Sequence, residues 1–236
     1  MAGSVTRIRP AGCAVGAVIA AVLLSACVST VTGTATRQSS GNPVNLAPLD
    51  EADLDDVLLS IGELNGIVGS TQMKVTSELD EMTDHSAEVS DPECLGAIYG
   101  AEEPVYEGTG WTAVRDQVAR QPHDDNDHWV EQTVVLYPAA KNAQEFFERS
   151  SEIWQSCAND AIVVADGDYL WELEDVDVGD TMISQMASQQ DADGWACQHA
   201  LSAVSNVTVE AWACGYRITD EAVQIATAMV ENATRK

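Results

Sequence analysis

Residues 195–216 read Trp-Ala-Cys-Gln-His-Ala-Leu-Ser-Ala-Val-Ser-Asn-Val-Thr-Val-Glu-Ala-Trp-Ala-Cys-Gly-Tyr. They are two β-prone runs, Trp195–Val204 and Val207–Tyr216, on either side of a polar pair. If Ser205-Asn206 is a two-residue turn, opposed residues have numbers that sum to 411. Cys197 and Cys214 meet that condition, as do Trp195 with Tyr216 and His199 with Trp212. All six side chains then share one face of an antiparallel pair, and the two cysteines face each other at bonding separation.

The remaining cysteines follow from this register. Six are present: Cys13, Cys27, Cys94, Cys157, Cys197 and Cys214. Arg7 and Arg9 precede an apolar run from Ala11 to Leu24, too short for a permanent membrane span of about 20 residues and shaped like a secretory leader. It exits through Leu24-Ser25-Ala26-Cys27, which resembles a bacterial lipobox. The resemblance makes residues 1–26 a lipoprotein signal peptide and Cys27 the lipidated first mature residue. Its two or three acyl chains, palmitate among them, would form a lasting membrane tether. Cys13 leaves with the leader, and four cysteines remain in an exported chain, a number that implies two disulfides. Pairing Cys197 with Cys214 leaves Cys94 for Cys157.

Around the hairpin, the chain alternates helical and extended patterns. Residues 28–48 are rich in Ser, Thr, Gly and Pro and read, with Cys27, as a flexible tether. Asp53, Leu54, Val57, Leu58 and Ile61 fall at helical spacing. Ser90-Asp91-Pro92 opens a short helix carrying Cys94 and Ile98. Trp111–Gln121 and His128–Tyr137 read as a strand pair across a polar loop. Ala139–Ala158 is the clearest helix, with Ala143, Phe146, Phe147, Ile153, Trp154 and Cys157 forming an apolar stripe. Shorter strands are expected at 72–79, 161–165, 169–173 and 181–188, and a last helix at 220–233 capped by Thr219.

Charge narrows the partners. The net charge is −27, and it becomes −29 once Arg7 and Arg9 leave with the leader. Such a surface disfavours nucleic acid and anionic headgroups, both of which need Lys and Arg.

Catalytic signatures are weak. His123, Asp125, Asp127 and His128 form the densest ligand-like cluster and are the one metal candidate, but the spacing lacks the Gly and terminal Glu of a calcium loop; a solvated turn is the default, with no metal or other cofactor expected. Glu172, Glu174, Asp175, Asp177 and Asp180 form an acidic run that reads as a guarded strand edge. There is no Gly-x-Ser-x-Gly elbow and no kinase signature. His199 reads as a packed residue, and His85 has no evident partner. Six tryptophans in a chain with two phenylalanines suit a cleft wall. Trp111, Trp129 and Trp171, flanked by polar residues, are the candidate ligand contacts.

The sequence is similar to the PknH-type extracellular sensor domain of mycobacteria. The likeness rests on Pro92-Glu93-Cys94, Val105-Tyr106, Ala139-Ala140 leading into Trp154-Gln155-Ser156-Cys157, and Cys197…Asn206-Val207…Cys214. It covers roughly residues 50–236 and implies a single α+β domain over 49–236: an antiparallel sheet with packed helices, a ligand cleft and bonds 94–157 and 197–214. The resemblance supplies no catalytic residues. The expected protein is therefore a non-enzymatic, sensor-type lipoprotein that binds a small molecule. It would sit on the outer face of the cytoplasmic membrane, facing the cell wall and periplasmic space. A protein-docking lipoprotein using its acidic surface and an envelope hydrolase are the alternatives.

Overall fold

The structure is a computed structural model that describes residues 46–122 and 127–236. The leader, Cys27 and nearly all of the tether lie outside the described residues, as do His123 and Asp125 of the metal candidate.

The hairpin has the register that its residue numbers require. Strands β7 (Ala196–Val204) and β8 (Val207–Gly215) pair antiparallel, with Cys197 opposite Cys214 and His199 opposite Trp212. The rings of Trp195 and Tyr216 meet edge to face, 5.2 Å between centroids, just past the ladder. The turn is paid for at Ser205, which takes a left-handed φ of 49°. Both disulfides are present, with Cα atoms 4.0 Å apart for Cys197–Cys214 and 5.8 Å for Cys94–Cys157.

Six further strands extend the hairpin on both sides: β1 (Lys74–Leu79), β2 (Ala113–Arg120), β3 (His128–Leu136), β4 (Ala161–Val164), β5 (Tyr169–Val178) and β6 (Met182–Gln189). Their order is β1-β2-β3-β8-β7-β6-β5-β4, antiparallel throughout. The hairpin is thus the centre of an eight-stranded sheet. Every residue of β8 is buried, because helices cover both faces and no solvent side remains to impose polar alternation.

Each face has its own core. One packs small side chains of the sheet (Val130, Val134, Ala200, Ala211) against Leu54 of a 3-10 turn, Leu64 of α1 (Ile61–Val68), and Ile225 and Met229 of α5 (Glu221–Thr234). The other packs Ile183, Leu201 and Trp212 against Tyr106 of α3 (Glu103–Tyr106), Phe146 and Trp154 of α4 (Ala140–Cys157), and Leu95 of α2 (Leu95–Ile98). Burying each such large side chain contributes about 1.5–3 kcal/mol. The Cys94–Cys157 bond clips the turn ahead of α2 to the last residue of α4.

Asn206 ties the segment around Leu49 to the hairpin tip. Its Oδ1 accepts from Leu49 N at 2.7 Å, and its Nδ2 donates to Leu49 O and Tyr137 O at 3.1 and 2.9 Å. This buried side chain satisfies backbone groups of two other segments that would otherwise be orphaned.

Three local expectations are corrected. The pattern from Asp53 to Ile61 is not one helix: the 3-10 turn Glu51–Asp56 ends, and Ser60 caps α1 afresh through a reciprocal bond pair with Glu63. Thr219 does not cap α5; the Glu221 carboxylate instead accepts from the backbone N–H groups of Thr219 and Asp220. Strand β5 runs to Val178, through an irregularity between Leu173 and Val176.

Candidate functional site

A cleft of about 590 Å³ opens on the α4 side of the sheet, at the end where β2 finishes and β3 begins. Its floor comes from the central strands: Asp116, Val118 and Arg120 of β2, Trp129 and Glu131 of β3, Trp212 and Cys214 of β8, and Cys197 of β7. One wall is Ser77 and Leu79 of β1 with Thr83, His85, Ile98, Tyr99, Gly100 and Glu102. The opposite wall is Val164, Ala165, Tyr169, Trp171 and Trp195.

The pleat explains this grouping. Val118 faces Glu131 across the β2–β3 ladder, and Asp116 faces Thr133. Glu131 faces Trp212 across β3–β8, and Trp129 faces Cys214. All therefore project from the same side of the sheet.

Four acidic side chains converge here, in two different conditions. Glu102, 1% exposed, is well supplied with donors: His85 Nδ1 at 2.5 Å, His85 N at 2.7 Å and Thr83 Oγ1 at 2.9 Å. His85 Nδ1 therefore carries the hydrogen that faces Glu102, and the ring stacks on Tyr99 at 4.9 Å. Behind the floor, Glu210 accepts from Tyr106 Oη at 3.0 Å and from His199 Nε2 at 2.6 Å. His199 lies between Trp154 and Trp212, ring centroids 4.0 and 3.9 Å away. Burial drives its pKa down despite the Glu210 carboxylate, so it is neutral with Nε2 protonated.

Asp116 and Glu131 are the unbalanced pair. Thr133 Oγ1 donates to Asp116 at 2.5 Å. The two carboxyls lie within hydrogen-bond reach of each other, and burial raises both. For Glu131 the shift is large, and the negative charges of Asp116, Glu210 and Glu102 add to it. One proton shared between the two is the expected state. Gly100 lets the neighbouring loop come close: a Cβ there would lie 3.2 Å from Glu131 Oε1.

Of the ligand contacts read from sequence, Trp129 and Trp171 line the cleft, joined by Trp195 and Trp212. Trp111 does not line it. It sits ahead of β2, at the strand end away from Arg120, and packs half-buried against the α4-side core. His85 does have a partner, in Glu102. Asp127 and His128 lie at the mouth of the β2–β3 loop, where His128 Nδ1 takes a 2.8 Å bond with Gln121 Nε2. Among the described residues, no group of three His, Cys, Asp or Glu side chains could hold a metal ion. The acidic run 172–180 lies along β5, mostly past the end of β4, exposed and outside the cleft.

Comparison with known proteins follows the same chain segment. Residues 49–232 match the family model of the PknH-like extracellular domain. The serine/threonine-protein kinases PknH of Mycobacterium tuberculosis and Mycobacterium bovis are each 37% identical over 191 residues, 80% of this chain. The chain spans only 30% and 32% of those kinases' lengths. The crystal structure of the extracellular domain of PknH from M. tuberculosis superposes with a TM-score of 0.78 at 36% identity. That match covers 80% of this chain and 99% of the other. No helix among the described residues is long and apolar enough to cross a membrane.

Proposed function

The chain belongs to the PknH-like extracellular domain family, and from that premise we propose that it is a non-catalytic, ligand-binding sensor domain held at the membrane by lipid on Cys27. The single observation carrying this reading is the preformed cleft of about 590 Å³, walled by aromatic side chains and floored by a few convergent polar groups. That composition is typical of small-molecule sites. A protein-docking role would need no such concavity.

The hydrolase alternative gains one observation, the His85–Glu102 pair across the cleft from Asp116 and Glu131. It lacks a nucleophile: among the described residues no Ser, Thr or Cys side chain hydrogen-bonds His85, and both cleft cysteines are bonded to each other. Asp116 and Glu131 project side by side from one face of the sheet, whereas the two carboxyls of a glycosidase flank the sugar from opposite sides. The pair is suited to gripping a ligand.

Two experiments test the proposal. A thermal-shift screen of lipid and glycan fragments against the full chain should find stabilising compounds whose effect is lost in Trp129→Ala. Stabilisation that persists in that variant would place binding elsewhere. Separately, Cys27→Ala should move the protein from the membrane fraction to the soluble one, and continued membrane association would refute the lipid anchor.

A further inference from the structure

Resting on the cleft reading, we propose that the occupant is an organic ammonium ion, its nitrogen seated on Glu131 and Asp116.

Glu131 is the cleft carboxyl that receives no donor from the described residues. Glu102 and Glu210 each receive bonds from a histidine and a hydroxyl, and Asp116 receives Thr133. Glu131 is half-buried and opens to the cleft, and among the described side chains only the Asp116 carboxyl shares a hydrogen bond with it. No Lys, Arg or His ion pair reaches either acid among the described residues. Two adjacent carboxyls in a shielded site lack one positive charge, and a cation entering the cleft supplies it.

The surroundings select the kind of cation. Glu131 has Trp129 two residues before it on the same face and Trp212 directly opposite. Indole faces attract organic cations and offer nothing to a bare metal ion, which needs several oxygen ligands. The chain's net charge of −27 adds long-range attraction for cations.

Binding of such an ion is coupled to protons. The charged and titratable groups facing Glu131 are Asp116 from β2, Glu210 from β8 and Glu102 from the adjoining wall, with Arg120 and His85 on the cleft lining. An ammonium ion favours the doubly ionised pair, so the shared proton is released and affinity rises with pH.

The test is isothermal titration of the full chain with ethanolammonium and D-glucosammonium ions. Their neutral counterparts, ethylene glycol and D-glucose, are the controls. The two ammonium probes represent headgroup-like and sugar-like sources, and the tighter one identifies which the cleft prefers. The expected result is binding of the ammonium probes about tenfold or more tighter than of their neutral counterparts. Proton release is visible as a dependence of the heat on the buffer's ionisation enthalpy. Glu131→Gln and Asp116→Asn, folded by thermal melt, each lose about tenfold or more in ammonium affinity. Equal binding of neutral and charged probes, with Glu131→Gln unaffected, overturns the ammonium assignment and leaves the cleft reading standing. No heat from any ammonium probe, or a neutral or anionic compound recovered from the cleft, also overturns it.

Discussion

Asp116 and Glu131 stand one diagonal step apart on adjacent strands, and their carboxyls lie within hydrogen-bond reach at the floor of the cleft. In the unfolded chain a residue such as Glu131 releases its proton around its ordinary value of 4.5. In the folded protein, burial and the neighbouring acids hold that proton to higher pH. Over the window between the two values the folded state binds more protons than the unfolded one, so stability falls as pH rises. Glu131→Gln removes that loss. Chemical denaturation of the empty protein should find the variant more stable than wild type above that window, with the difference vanishing towards acid pH.

Little of this pair was legible beforehand. The cysteine register was, because a two-residue turn fixes every opposed pair on β7 and β8 by arithmetic. Between β2 and β3 the loop is longer, so its length does not fix the register; in the fold, opposed residues there sum to 249. The placement of β3 beside β8 is non-local, and it alone sets Glu131 against Trp212. Glu102 and His85 meet through a loop with no periodic pattern. Trp111 looked like a cleft residue because polar neighbours flank it, but its strand end lies away from the opening. A usable signal was present in Glu131, a carboxylate inside the strongly β-prone run 128–137.

Glu210 holds Tyr106 and His199 to the back of the cleft floor. Replacing it by Leu leaves a buried hydroxyl and a buried imidazole N–H unpaired, a loss of about 3 kcal/mol. Denaturant titration of Glu210→Leu checks this. A loss below about 1 kcal/mol would mean that the network is not structural.

Asn206 serves two segments from the hairpin tip. Asn206→Ala deletes three buried hydrogen bonds to Leu49 and Tyr137 and should cost about 3 kcal/mol. Hydrogen exchange should quicken first at Leu49, whose amide loses its acceptor.

The two disulfides close loops of different size, with sequence separations of 63 and 17. Loop entropy assigns about 4 kcal/mol to Cys94–Cys157 and about 3 kcal/mol to Cys197–Cys214. Paired Cys→Ala variants, compared by equilibrium unfolding, should keep that order. A non-reduced peptide map of the native protein should contain only these two links among the four cysteines.

The most direct measurement of the central claim is native mass spectrometry of the full chain purified from its own envelope, alongside the Trp129→Ala/Glu131→Gln double variant. A discrete adduct carried by the wild type and missing from the folded double variant is the predicted result. A wild-type protein that carries no adduct, or one that the double variant retains, would contradict a ligand-binding cleft at this place.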